Sequence, residues 1–513
     1  MSKRGQPPPG ISVQDWQATP ESVQTLVSTL LAVVEEMQQV VPQLQRQIEQ
    51  QQKHINEQQK HIHEQQKRIS QLAEQVGKNS RNSSKPPSSD PPHVKPAPPQ
   101  KKGKRQRGGQ PGHPGHGRRL RPPEDVNRFV ISKPTSCRQC GTLLLGQDPQ
   151  PQRHQVCELP PIEPEIIEYQ VHTLRCLHCG EESCADWPVG MPPGAFGPRI
   201  QAVTGTLSGR YSVSRRDVQE MLATLFQVEM GLGTVSNQEA QVSAALSEPV
   251  VEAQAYVQQQ SQVNTDETSW SLQYQRHWLW TAATPLVTIF LLVATRGAAG
   301  VKQLLGQDFS GVIGSDRWSA YNWLDPSRRQ LCWAHLLRDF QAFVERKGES
   351  AIIGQKLLQQ AGQMFALWQR VRDGTLSRPD FQEAMRPIRR EVTASLQLGT
   401  FIDHAQTAKT CANILKLDVA LWTFLDQEGV APTNNAAERA LRRGVLWRKR
   451  TFGSQSERGL RFTERILTVV TTLRQQERNV LEYVTAACQA QHFGLPAPSL
   501  LPVSHSDDYF YTD

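Results

Sequence analysis

An apolar repeat near the start of the chain leaves few folds open. Val27, Val34, Val41, Ile48, Ile55, Ile62, Ile69 and Val76 recur every seventh residue, with Leu30, Met37, Leu44 and Leu72 three positions later. A period of seven follows two turns of helix, so these side chains form one stripe that is buried only against another helix. β-Branched residues at the first heptad position with Leu or Met at the fourth favour a parallel two-stranded coiled coil. The repeat QQKHINE, QQKHIHE, QQKRISQ places Gln51, Gln58 and Gln65 in the seam, and Pro42 is expected to interrupt it. A single solvated helix with polar low-complexity faces is the other reading.

Past Val76 the helical pattern stops. GKNSRNSSKPPSSDPPHVKPAPPQ is too rich in Pro and Ser to bury a core. The whole chain carries 57 Lys and Arg against 49 Asp and Glu, a net charge of +8, with a pI near 9.0, which points to a polyanionic partner. From Lys78 to Arg121 there are twelve basic residues and one acid, Asp90, so this segment holds the positive charge and the remainder is slightly acidic. Lys101, Lys102, Lys104 and Arg105 are its candidates for neutralising DNA phosphates; a solvated tail is the alternative. The N-terminal residues lack an apolar export signal, and the longest apolar stretch, Leu286 to Ala294, is far short of the ~20 residues that span a bilayer. A cytoplasmic protein without membrane contact is expected. An odd count of nine cysteines argues against a disulfide framework.

Four of those cysteines have a more specific use. Cys137 and Cys140, followed by Gly141, and Cys176 and Cys179, followed by Gly180, form two C-x2-C knuckles, the spacing that supplies four thiolates to a structural Zn²⁺. Cys157, Cys184, His154 and His178 lie nearby at less regular spacing. Next, SVSRRDVQEMLATLF has helical apolar spacing, with Ser214 three residues before Asp217 as a capping pair. A second helix entered through Gly231 and Gly233 is expected to present Ser236, Asn237 and Gln238 to a DNA groove, with Arg210, Arg215 and Arg216 alongside. Plain helical scaffolding has the same pattern.

Three acids then stand out: Asp266 in NTDETSW, Asp316 closing GVIGSD and Glu438 in TNNAAERALRR. Around them QSQVNT, HWLWTAAT, VTIFLLVAT and GVIGS read as strands, the middle two a hairpin pair. Three carboxylates suit hard divalent cations and phosphodiester chemistry. Taken singly, Asp266 and Asp316 also fit strand ends where Asp opens a turn. Glu438 also fits a capping box with Asn435. In CWAHLLRDF, His335 and Asp339 are helical neighbours, and His335 and Arg338 are candidates for substrate contact. The stretch from Phe340 to Val430 is helical in pattern, with Trp368 and Trp422 as core. Arg442 is one turn after Glu438 and is read either as a phosphate clamp or as its ion-pair partner, and Arg448 and Lys449 continue a basic run.

NTDETSW, GSDRWSAY, CWAHLLRDF and PTNNAAERALR, in this order, resemble the transposase of the IS66 family of bacterial insertion sequences. The resemblance extends from about residue 70 to 490, taking in the basic segment and the knuckles. It implies a multidomain α+β chain with a ribonuclease-H-like α/β catalytic core. Asp266, Asp316 and Glu438 would be catalytic ligands of Mg²⁺ or Mn²⁺, His335 a catalytic candidate, and Arg338, Arg442, Arg448 and Lys449 would contact DNA. The expected layout is a coiled coil over 1–78, a basic linker over 79–123, a zinc ribbon over 124–190 and a helix-turn-helix over 191–255. The core follows over 256–480, with a helical insertion over about 341–431, and a tail over 481–513. The implied activity is metal-dependent cleavage and strand transfer at element ends in the bacterial nucleoid. Its partners would be double-stranded DNA, further copies of the chain and accessory proteins of the same element. A DNA-binding regulator with a decayed core and a structure-specific nuclease are the alternatives.

Overall fold

The computed structural model describes residues 6–77, 83–84, 119–192 and 194–502. The chain divides into two units, Met1–Val94 and Lys95–Asp513. Lys101, Lys102, Lys104 and Arg105 lie outside the described residues.

In the first unit, a short helix α1 (Val13–Ala18), capped by Ser12, precedes α2 (Glu21–Gly77), a single helix of 57 residues. The helix runs through Pro42 instead of breaking there. Proline cannot donate its intrahelical hydrogen bond, and the Arg46 guanidinium donates to the Pro42 carbonyl at 3.3 Å. The heptad side chains from Val34 to Ile69 stand exposed along this helix, Ile48 at 63% and Ile69 at 64%. A helix with such a stripe is stabilised by packing the stripe against a partner, not by propensity alone.

In the second unit the described residues open at 119 on a stretch of little regular structure that carries a 3-10 turn at Pro123–Asp125 and a small hairpin, β1 (Thr173–Arg175) against β2 (Glu182–Cys184). Four helices follow: α3 (Pro198–Tyr211), α4 (Arg215–Phe226), α5 (Leu232–Ala245) and α6 (Ser247–Gln258). Ser214 caps α4 by accepting the Asp217 N–H, as its spacing requires.

A mixed five-stranded sheet forms the centre. Its strands are β3 (Gln262–Leu272), β4 (Gln275–Ala283), β5 (Thr288–Val293), β6 (Val312–Ser315) and β7 (Arg329–Leu331), in spatial order β5-β4-β3-β6-β7. The first three form an antiparallel meander, while β6 and β7 run parallel to β3. Helix α7 (Ala298–Leu305) makes the crossover from β5 to β6. Near-continuous apolar runs in β4 and β5 match a sheet covered on both faces; Leu279, Trp280, Ala282, Ile289 and Leu292 are buried.

After β7 the chain turns helical: α8 (Trp333–Glu345), α9 (Gly348–Arg372), α10 (Arg378–Gly399), α11 (Ala405–Leu415) and the single turns α12 (Asp418–Leu421) and α13 (Thr423–Asp426). These helices build a second core around Trp333, Phe340, Phe381, Trp422 and Phe424, against which Trp368 packs half-buried. They dock back on the sheet edge: the Gln330 amide donates to Leu421 O and accepts the Phe424 N–H, and Thr423 Oγ1 donates to Arg329 O. From there the chain enters α14 (Asn435–Thr451), then α15 (Glu457–Gln475) and α16 (Val480–Phe493).

Helix α15 closes the other edge of the sheet. The β5 N–H groups of Thr288, Phe290 and Leu292 donate to Thr472 Oγ1, Thr468 Oγ1 and Glu464 Oε2 at 3.1, 3.0 and 2.9 Å. Two residues of strand and four of helix both advance about 6 to 7 Å, so the two ladders stay in step. An edge that would otherwise offer unpaired donors is thereby covered.

Candidate active site

The parallel register brings two of the acids together. Asn264 of β3 lies beside Gly314 of β6. Two residues further along each strand are Asp266 and Asp316, so the same register sets them side by side. Asp266 lies within β3, opposite Thr281 of β4, and does not end the strand. Its Oδ1 accepts the Glu267 N–H at 3.0 Å. Asp316 follows the last residue of β6 and does open a turn, its Oδ1 accepting the Trp318 N–H at 2.9 Å. One bond of this kind leaves further lone pairs on the carboxylate.

Glu438 reaches the same end of the sheet from the first turn of α14. The capping box with Asn435 does not form: Asn435 is the first helical residue, and Asn434 precedes it without a side-chain cap. Asn434 is instead a fully buried anchor, its amide donating to Thr265 O at 2.9 Å and its N–H to Cys332 Sγ at 3.4 Å. These two bonds pin the start of α14 to β3 and to the end of β7. Gly444 then lets the helix lie on the sheet, since a Cβ there would fall 2.3 Å from Leu279 Cδ2.

Burial, then the charges of Glu267 and Asp316, hold the Asp266 carboxyl well above the usual range, and Glu438 adds to the effect. Such crowding of acids disfavours their charged forms in the absence of a cation. His335 Nδ1 lies 3.5 Å and Arg338 3.8 Å from Glu438 Oε1. Burial, followed by the Arg338 charge, pushes the His335 imidazolium down. Arg338, not Arg442, is therefore the ion partner of Glu438, and Arg442 stands exposed. Asp339, read as a neighbour of His335, pairs with Arg317 at 2.5 Å.

Several site residues were not singled out in the sequence. The Glu267 side chain is 2% exposed and pairs with Arg296 at 2.9 Å; burial, then Asp316, push its carboxyl up to about 7. The Arg296 guanidinium stacks on Trp318 and Trp278, at 3.9 and 4.7 Å from the ring centroids. Buried Arg329 clasps the Asp316 turn, donating to Asp316 O at 2.7 Å and to Trp318 O, Ser315 Oγ and Asn322 Oδ1 at 3.3 Å. Their sequence signals were thin: Glu267 adjoins Asp266 and Trp318 lies in GSDRWSAY, but nothing local marks Arg329.

Other expected contacts are spent within the protein. Arg448 donates to Thr268 Oγ1 at 3.1 Å and to Ser269 of β3, while Lys449 is exposed. Ser236 and Asn237 of α5 accept hydrogen bonds from Arg458 at 2.9 and 3.3 Å, Gln238 is buried, and Arg215 pairs with Glu239. Ser236 and Asn237 are thus tied to the start of α15 by Arg458, with Asn237 still exposed and Gln238 facing inward, because the helix pattern alone does not reveal which residues a later segment engages.

The two C-x2-C turns share one shape. Gly141 and Gly180 adopt positive φ of 72° and 76°, donating to the Cys137 and Cys176 carbonyls. Among the described residues neither the four knuckle thiols nor Asp266, Asp316 and Glu438 form a group within 4.8 Å; such a group is formed by Cys332, His335 and Glu438.

The model of the IS66 transposase family matches residues 195–461, just over half of the chain and all three acids. The chain belongs to the IS66 transposase family. Membership suggests a transposase role, and with it DNA as partner and a divalent metal as cofactor. A second family, of unknown function (DUF6444), matches residues 13–119. Similar proteins are the uncharacterized protein y4hP of Sinorhizobium fredii, 24% identical over 69% of this chain and 70% of its own length, and the uncharacterized protein y4qI of the same organism, 26% identical over 44% and 45%. Among the described residues no helix is long and apolar enough to cross a membrane.

Proposed function

We propose that this IS66-family chain is a DDE-type transposase that cuts and joins DNA at the ends of its element. The observation that carries the reading is that Asp266, Asp316 and Glu438 come from three separate chain segments to the same end of β3 and β6, near enough for the charges of Asp316 and Glu438 to bear on Asp266. Glu438 is turned toward His335 and Arg338, and the three carboxylates are not yet within 4.8 Å of one another. The antiparallel meander followed by parallel strands, with a helical excursion before the third acid, supports a ribonuclease-H-like core. The donor set suits Mg²⁺ or Mn²⁺, since all three ligands are hard oxygens; the Asp266 carboxyl is held up first by burial and then by the neighbouring acids, a charge balance that a bound cation would relieve. Asp266, Asp316 and Glu438 would hold the ions, which when bound activate the attacking oxygen and stabilise the leaving one.

The chain's own groups supply the rest. Asn434 and Gly444 set Glu438, Arg329 and the Trp318 N–H set Asp316, and exposed Arg442 and Lys449 face solvent where a DNA phosphate can approach. His335 and Arg338 bear on Glu438. We assign the exposed α2 stripe to a coiled coil between copies, the knuckles to a structural zinc ribbon and α4–α5 to a helix-turn-helix-like hairpin, in a protein acting on nucleoid DNA in the cytoplasm. With Ser236, Asn237 and Gln238 engaged inside the protein, DNA contact by α5 would need a face other than these three residues. A segment as small as the knuckle region buries too little apolar surface to hold itself together, which is the role a metal held by four thiolates fills.

The test is movement in cells of a marker flanked by the element's ends, comparing the wild type with Asp316→Ala. New insertions with a short target duplication from the wild type alone support the reading. Equal insertion by the variant refutes the role of Asp316.

A further inference from the structure

The sequence Cys332-Trp-Ala-His335 sits where β7 gives way to α8. Cys332 is the residue preceding the first turn of α8, and His335 follows within that turn, its N–H donating to Cys332 O at 3.1 Å. Glu438 arrives from α14, and one sulfur, one imidazole nitrogen and one carboxylate oxygen then lie within 4.8 Å of one another.

Three further observations mark this as more than proximity. His335 Nδ1 is buried and has no hydrogen-bond partner, although Glu438 Oε1 is 3.5 Å away. Cys332 Sγ accepts the Asn434 N–H, a contact that fixes the orientation of the sulfur, while burial pushes the free thiol up to about 11, so a bound cation would take the place of its proton. The start of α8 adds the positive end of a helix dipole beside the same sulfur.

We propose that Cys332, His335 and Glu438 form a binding site for a thiophilic divalent cation of the Zn²⁺ class. Sulfur, nitrogen and oxygen donors at this spacing match Zn²⁺ or Co²⁺, whereas Mg²⁺ takes oxygen donors and near-octahedral geometry. Three protein ligands leave a fourth position open. Resting on the reading of Glu438 as a ligand of the catalytic ion, the site makes Zn²⁺ an antagonist: a Glu438 turned toward Cys332 and His335 is withdrawn from Asp266 and Asp316.

Cobalt uptake reads the site without DNA or cleavage, so its failure is distinct from failure of the transposase reading. Full-length protein stripped of metal is titrated with Co²⁺, alongside Cys332→Ser and His335→Gln, so that any cobalt held by the knuckle thiols is common to all three. The wild type takes up one equivalent more than either variant, with additional sulfur-to-cobalt charge-transfer absorption that Cys332→Ser lacks, and excess Mg²⁺ does not displace it. Circular dichroism establishes that each variant is folded; His335 is partly exposed, so His335→Gln serves if Cys332→Ser unfolds. Equal cobalt stoichiometry and equal spectra in the wild type and the folded variants overturn the proposal.

Discussion

Gly314→Ala perturbs the site at its narrowest point. Gly314 lies beside Asn264, and a Cβ there would fall 2.4 Å from Asn264 Oδ1, an atom that is buried and without a hydrogen-bond partner. Restoring an ordinary contact of about 3.4 Å requires a displacement of roughly 1 Å, and both strands carry an acid two residues further on. Overpacking costs ~1–3 kcal/mol, while the alanine recovers about 0.5–1 kcal/mol of chain entropy. The net loss is therefore about 0–2.5 kcal/mol, a fall in Tm of up to roughly 10 °C at ~2–4 °C per kcal/mol. Cleavage should suffer more than stability, because ~1 Å of misplacement at a reacting centre costs about 10²-fold. Thermal melts with end binding and cleavage by the purified protein measure each part. Asn264→Ala removes the obstructing amide and should restore much of the activity in the double variant. Wild-type cleavage by Gly314→Ala alone, or a double variant no better than the single, would refute the reasoning.

Other outcomes follow from the same contacts. Arg329→Lys keeps the charge but cannot span four acceptors, and should lower stability by about 2–4 kcal/mol in denaturant melts, with cleavage lost before end binding. Ile48→Asp, Ile55→Asp and Ile62→Asp together should dissociate the assembly in sedimentation experiments while leaving the Tm of the second unit unchanged. Burial holds the Glu464 carboxyl above its ordinary value, so its stabilising contribution is complete below the ordinary Glu pKa and declines as pH rises through the folded value. Glu464→Gln retains an acceptor for the Leu292 N–H and should raise Tm at pH 8 more than at pH 4; a pH-independent effect contradicts the assignment.

The strands were legible because they are local: HWLWTAAT and VTIFLLVAT became β4 and β5, and GVIGS became β6. The three acids were legible as motifs, but the manner in which they are held was not. Asp266 is open to reading as a strand end because its motif does not show that β3 runs on to Leu272 in pairing with β4, and Asn435 resembles a cap because the true anchor, Asn434, finds its partners in β3 and at Cys332. Arg329 has no periodic or motif signature, since its value comes from a turn that precedes it in sequence and folds over it. Ser236 and Asn237 looked free for the same reason in reverse, their partner Arg458 arriving some two hundred residues later.

The central claim, that Asp266, Asp316 and Glu438 jointly hold the metal used in strand cleavage, is tested most directly by changing ligand softness. Asp316→Cys replaces a hard oxygen by sulfur, which Mg²⁺ binds poorly and Mn²⁺ tolerates. The purified variant is expected to bind element ends normally, to be inactive in cleavage with Mg²⁺, and to recover measurable cleavage with Mn²⁺. Cleavage by Asp316→Cys that equals the wild type in Mg²⁺ would contradict the account.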